Sequence, residues 1–244
     1  MDNGVFCIIS RVCSYEIDDT LKMRTSVFFK HMQEVAGRHC DSLGLTYKSM
    51  YESGMVFLLS KLYIKIHTSP EYGEDIFEKT WCKGFNRVAF LRDFSFEKED
   101  GEVLAEASSV WVLVNVNNRK IIKPSDFHTC FPITEKSANV PPVNRLAVPD
   151  NMPVSAIRRV YDSYTDANKH MNNSIYVDFI CDLTVPYTKA NRVSDVFVNY
   201  RSEVCEGDEV TLRSSALPEG NGYVVAGESC GLSKFEGMVK FHNE

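Results

Sequence analysis

Apolar residues recur at three- and four-residue spacing twice along this chain, and each time runs of alternating apolar and polar residues follow. Phe28, Met32, Val35, Ala36 and Leu43 keep the first stripe, and Ile175, Tyr176, Phe179, Ile180 and Leu183 keep the second. That period belongs to an amphipathic helix with one face turned to a core. Leu43-Gly44 supplies a stop for the first helix, and Pro186 limits the second. After the first, Leu62, Ile64 and Ile66 alternate with Lys61, Tyr63 and Lys65, and strand-like runs continue over Ile76 to Lys83, Arg87 to Lys98 and Val103 to Val116. Glu99-Asp100-Gly101 joins two of these as a hairpin signal. After the second, Val196, Val198 and Tyr200 alternate with Phe197, Asn199 and Arg201, followed by Glu209 to Leu217, Tyr223 to Leu232 and Gly237 to His242. Breaks are expected at Pro218 to Gly222 and at Lys234-Phe235-Glu236-Gly237.

The two halves match at a fixed offset. Shifting the chain by 148 positions lays Asp18-Asp19-Thr20-Leu21-Lys22-Met23 on Asp166 to Met171, and Thr25-Ser26-Val27-Phe28 on Asn173-Ser174-Ile175-Tyr176. Each half thus reads as polar loop, helix and antiparallel sheet, an α+β unit whose helix is apolar enough to be wrapped by the sheet. Five of the nine prolines fall between Pro132 and Pro153, which marks a linker. The expected division is an N-terminal domain over 1–128, a linker over 129–155 and a C-terminal domain over 156–244.

The loop before the second helix concentrates the chemistry. Asp166, Asn168 and His170 stand at alternate positions, and in an extended loop residues two apart point the same way. Asn172 or Asn173 is the expected N-cap, which leaves backbone N–H groups and the positive end of the helix dipole beside these side chains. Such a set suits a carbonyl whose oxygen becomes negative during attack. The first half carries Thr20 and Lys22 where the second has Asn168 and His170. One site per chain is therefore expected.

Three motifs in order carry a resemblance: the Asp166-x-Asn168-x-His170-x-Asn172-Asn173 loop, Tyr200-Arg201-Ser202-Glu203, and Ala107-Ser108-Ser109-Val110-Trp111-Val112 with Asn115 and Arg119. From about Tyr15 to Phe241 the chain resembles the acyl-acyl carrier protein thioesterases. The resemblance implies two hot-dog domains in tandem, with catalytic residues Asp166, Asn168, His170 and Glu203 in the second. It also implies hydrolysis of fatty acyl thioesters to free fatty acid and carrier thiol, ending chain elongation, with an acyl carrier protein as partner. The N-terminal domain would bind the acyl chain without catalytic residues. Plant members of the family have Cys directly after the Glu, whereas this chain has Val204 there and Cys205 one place further. A step of one residue along a strand changes the face, so water is the expected nucleophile, with a Cys205 thiol as the rival. An acyl-CoA thioesterase, a hot-dog dehydratase and a non-catalytic acyl-binding module are the alternative readings.

Composition and charge narrow the rest. Eight scattered cysteines include no Cys-x-x-Cys pair, and the six histidines form no zinc pattern, so neither a disulfide framework nor a metal is expected. No glycine-rich phosphate loop or basic aromatic surface is present, and no cofactor or nucleic acid is expected. No run approaches the length of a membrane span, and Val5 to Ser10 is too short for a signal peptide. A cytoplasmic protein without stable membrane insertion, monomeric or homodimeric, follows as the expectation. The net charge of -6 would repel an acidic carrier protein, so a local basic patch is required. Lys22, Arg24 and Lys30 are one candidate, and Arg158-Arg159 with Lys169 and Arg201 another.

Overall fold

The computed structural model describes residues 4–127, 131–184 and 192–242. The chain divides into two compact units, Met1–Val143 and Asn144–Glu244. Pro186 and residues 128–130, on which the second helix's limit and the start of the linker were expected to fall, lie outside the described residues.

The first unit contains β1 (Phe6–Arg11), α1 (Thr25–Ser42), α2 (Tyr47–Glu52), β2 (Met55–Ile66), β3 (Asp75–Phe85), β4 (Phe90–Glu97), β5 (Val103–Asn115) and β6 (Ile121–Ile122). Its strands run antiparallel in the order β1-β3-β4-β5-β2, with β6 added to β5. Helix α1 lays Val27, Phe28, Met32, Val35 and Ala36 against β3 and β1. Phe28 and Val35 are fully buried, and removing a side chain of that size from water stabilises by about 1.5–3 kcal/mol. The helix stops where the sequence predicts. Gly44 takes φ 78, and the N–H groups of Gly44 and Leu45 reach the carbonyls of Asp41 and Cys40 at 2.9 and 3.0 Å, which satisfies carbonyls that the helix leaves open. The Glu99-Asp100-Gly101 hairpin also forms, closed by Lys98 N–H to Glu102 O at 2.9 Å.

The second unit contains β7 (Val154–Arg159), α3 (Asn173–Asp182), β8 (Val193–Tyr200), β9 (Glu209–Ala216), β10 (Gly222–Ser229) and β11 (Leu232–Phe241), in the antiparallel order β8-β11-β10-β9-β7. Helix α3 buries Tyr176, Val177, Phe179 and Ile180 against β11 and β8.

The break expected at Lys234 to Gly237 is absent, because these residues run through β11. Gly237 is there for closeness rather than for turning: a Cβ on it would come 2.4 Å from Ile180 Cδ1. The real turn is Cys230-Gly231, with φ 51 and φ 72. Two positive φ values match the twist of a two-residue hairpin. Strands β1 and β7 and helix α2 were not expected. Both strands are short sheet edges, and Ile9 and Ile157 stand exposed on them, so neither shows a clean apolar alternation in sequence.

Candidate active site

The loop into α3 is a closed turn and not the extended stretch expected. Asp166 N–H donates to His170 O at 2.9 Å, Lys169 N–H donates to Asp166 O at 2.9 Å, and Asp166 Oδ1 accepts the Asn168 N–H at 2.8 Å. Lys169 takes φ 62 to close the bend. A carboxylate that captures the amide two residues on competes with extended backbone, which is why the alternation argument fails locally. Asp166, Asn168 and His170 still share one small turn, with Asp166 holding it from within. Asn172, and not Asn173, is the N-cap: its Oδ1 accepts the Ser174 N–H at 3.0 Å and the Ser174 hydroxyl at 2.9 Å. The N-cap of α3 thus lies two residues beyond His170.

Glu203 meets this turn from the segment after β8. His170 Nε2 lies 3.4 Å from Glu203 Oε2, with 25% and 32% of the two side chains exposed. The adjoining backbone is fixed by the loop itself, since Met171 N–H donates to Val204 O at 2.7 Å and His170 pairs with Cys205 as an antiparallel bridge. Val204 is fully buried while Cys205 is exposed, so the residue after Glu203 points into the core. Beyond it, Cys205 N–H donates to Asp208 Oδ2 at 3.0 Å and opens a turn through Gly207, φ 84.

Two phenols underlie the pair. Tyr176 packs edge-on against Tyr200 with ring centroids 5.1 Å apart, and Tyr200 Oη donates to Asn173 O at 3.1 Å. Burial pushes the Tyr176 phenol up despite a hydrogen bond from the Val204 backbone, and the charges of Cys205, Glu203 and Asp166 push it further. Burial and Tyr176 raise Tyr200 likewise. Both are neutral hydrogen-bonding groups at physiological pH.

The first unit holds the same turn bond for bond. Leu21 takes φ 63; Asp18 N–H reaches Lys22 O at 2.9 Å, Leu21 N–H reaches Asp18 O at 3.1 Å, and Thr20 N–H reaches Asp18 Oδ1 at 2.8 Å. Met23 N–H donates to Pro70 O at 2.9 Å as Met171 does to Val204. Lys22 bridges Glu71 where His170 bridges Cys205, which sets Ser69 at the place of Glu203. The scaffold is duplicated and the imidazole–carboxylate pair is not.

Other expectations divide. The Ala107 to Val112 motif lies within β5 of the first unit, where Trp111 Nε1 donates to Ser109 Oγ at 2.8 Å and Ser109 Oγ donates to Arg92 O at 3.0 Å. It shapes the sheet of the first unit. The basic candidates are partly committed, with Lys22 Nζ 4.0 Å from Glu71 and Arg201 Nη1 3.7 Å from Glu236. No cluster of three or more His, Cys, Asp or Glu suited to a metal occurs among the described residues. Among them, too, no helix is long and apolar enough to cross a membrane. Lys234 gave no signal in the sequence, where it counted as part of a turn, yet its Nζ donates to Glu203 O at 2.8 Å.

A helix packed on an antiparallel sheet, present twice, with the same entry turn in both copies and an imidazole opposed by a carboxylate at that turn in the second, defines a tandem hot-dog protein. The model of the acyl-ACP thioesterase N-terminal domain matches residues 6–127, that of the C-terminal domain matches residues 155–232, and the chain belongs to this family. It is 26% identical over 240 residues to a chloroplastic acyl-[acyl-carrier-protein] hydrolase of Cuphea viscosissima, covering 91% of this chain and 58% of that protein. Over 244 residues it is 25% identical to a chloroplastic oleoyl-acyl carrier protein thioesterase of Arabidopsis thaliana, covering 88% of this chain and 66% of the other. The chain thus spans about three fifths to two thirds of the length of these curated relatives. Among solved structures, an acyl-ACP thioesterase from Bacteroides thetaiotaomicron matches with a TM-score of 0.91 and 23% identity over 99% of each chain. The 12:0-ACP thioesterase from Umbellularia californica matches with a TM-score of 0.86 and 17% identity, over 100% of this chain and 99% of that one. Both share the fold.

Proposed function

We propose that this chain hydrolyses fatty acyl thioesters of acyl carrier protein, releasing free fatty acid and the carrier thiol. The observation that carries the reading is the His170–Glu203 pair, 3.4 Å apart beside the capped start of α3, in a member of this family. A water held between imidazole and carboxylate loses a proton to the pair as its oxygen attacks the thioester carbon. The negative oxygen of the tetrahedral intermediate is met by the Asn168 amide and by N–H groups at the helix start. Collapse breaks the C–S bond, and the leaving thiolate takes up the proton. Asp166 acts through the turn, by holding the Asn168 backbone. Cys205 stays outside the chemistry. Its exposed place at the head of the Cys205–Asp208 turn supports water as nucleophile.

In the same reading the N-terminal unit binds the acyl chain. Phe57, Phe90, Phe127 and Phe131 meet there edge to face around Met50 and Leu113 as an apolar body for it. The enzyme works in the cytoplasm, without a cofactor, as a monomer or homodimer. Matched acyl-carrier-protein and acyl-CoA thioesters, assayed with the purified protein for fatty acid release, test the proposal. Faster release from the carrier thioester is expected. Preference for CoA would move the activity to the other donor, and no release from either would end it.

A further inference from the structure

The segment that carries Glu203 is not part of a strand, so its backbone groups need partners from elsewhere. β8 ends at Tyr200. From there, Arg201 N–H and Ser202 N–H both donate to the carbonyl of Lys234, at 2.9 and 3.1 Å. The side chain of the same lysine turns back, and its Nζ donates to Glu203 O at 2.8 Å. Val204 O is taken by Met171 of the turn. One residue of β11 therefore holds three consecutive backbone positions, and the third of them is the residue that faces His170.

We propose that Lys234 is the positioning residue for Glu203, and that its ammonium sets the carboxylate at the distance from His170 on which thioester hydrolysis depends. The inference rests on the functional reading above. Lys234 touches neither substrate nor reacting atoms in this role. Its ammonium acts through the peptide of Glu203, by a charge-assisted hydrogen bond that is stronger than the neutral bonds on either side. The other contacts of this segment are weaker candidates for the role. The preceding carbonyl bonds use the Lys234 backbone and would survive any side chain, whereas the bond to Glu203 O needs a long, polar side chain that can bend back. Ser202 Oγ adds only a bond to Ser233 O at 3.2 Å on exposed backbone. Lys234 is also half-buried, so its stem packs while its head is directed.

The test compares Lys234→Met, Lys234→Gln and Lys234→Arg in the full chain with an acyl-carrier-protein thioester. Methionine keeps the stem and removes the donor. Misplacing a reacting group by about 1 Å can cost roughly 10²-fold, so Lys234→Met should lose about 10- to 100-fold in kcat with KM within about twofold of wild type. Arginine can still donate to the carbonyl and should restore most of kcat, while glutamine, shorter and uncharged, should fall between. A purely structural lysine would lower the melting temperature and leave kcat per folded molecule unchanged. Wild-type kcat in a folded Lys234→Met protein overturns the proposal, and where that variant does not fold, wild-type kcat in Lys234→Gln does so. A wild-type protein that hydrolyses no thioester, or a His170→Ala protein as active as wild type, would instead remove the functional reading itself.

Discussion

At the scale of single residues, the proposed chemistry rests on one imidazole and its carboxylate, His170 and Glu203. His170→Ala should lose about 10²- to 10⁴-fold in turnover, the usual size of a general acid–base contribution. Lys22→Ala, at the matching place in the first unit, should leave turnover within a few fold, and equal losses in both variants would contradict a single site per chain. Asn168→Ala should cost about 10²- to 10³-fold if its amide meets the oxyanion; an undiminished rate would confine the residue to shaping the turn. Cys205→Ser should keep most activity, and rapid quenching should show no acyl adduct by mass spectrometry. An acylated Cys205 peptide forming and decaying at the turnover rate would make the thiol the nucleophile. Much of this was legible in sequence, because His170 and Lys22 occupy matching places on a repeated pattern. Lys234 was not: a lysine three residues before a glycine reads as a turn, and only the register of β11 with β8, Phe235 opposite Tyr200, brings it beside Glu203.

Among elements, α3 joins site and core through its two ends. Its start is fixed by Asn172, and Asn172→Ala should lose about 0.5–2 kcal/mol in denaturant unfolding, with turnover falling as the N–H groups lose their alignment. Its body rests on β11 at Gly237. Gly237→Ala would drive a methyl to 2.4 Å from Ile180 Cδ1, and overpacking of this kind costs about 1–3 kcal/mol. Ile180→Val in the same protein should recover part of that loss, since it removes the atom in the way. Additive losses in the double variant would show that the two positions do not press on each other. The helices were readable because their apolar spacing survives burial on one face, and the Leu43-Gly44 stop is a local signal. The edge strands β1 and β7 escaped because pairing on one side only leaves half their residues in water. Gly237 misled because a glycine that admits a neighbour and a glycine that turns the chain look alike in sequence.

For the whole molecule, two histidines on α1 give stability opposite pH dependences. His39 is fully buried, with Arg92 Nη1 2.9 Å from its Nδ1. Burial and that guanidinium hold its pKa down at about 4. A folded pKa below the unfolded value near 6.5 means stability that is complete above 6.5 and lost as the pH falls towards 4, roughly 3 kcal/mol at the limit. His31 sits between Glu78 and Glu16, at 2.6 and 2.9 Å from its two ring nitrogens. Burial opposes its charge, but hydrogen bonds to Glu78 and then Glu16 outweigh burial and raise the pKa. Its contribution is complete below about 6.5 and lost as the pH rises through the raised value. Melting temperature should therefore drop from pH 7 to pH 5. His39→Leu should flatten that drop, even in a protein less stable overall, while His31→Gln should keep it and lose more stability at pH 6 than at pH 9. A drop that persists in His39→Leu would assign the acid sensitivity to other groups.

The bend at Lys169 has its counterpart at Leu21. A lysine at φ 62 between Asn168 and His170 invites the reading that the backbone is strained for the sake of catalysis. Leu21 answers it, for it takes φ 63 in a turn that carries Lys22 in place of the imidazole and faces Ser69 in place of Glu203. A cost borne equally by a turn without that imidazole is a cost of architecture. The candidate side chains sit on a curve that the fold repeats without them, and the first half of the chain serves as their control.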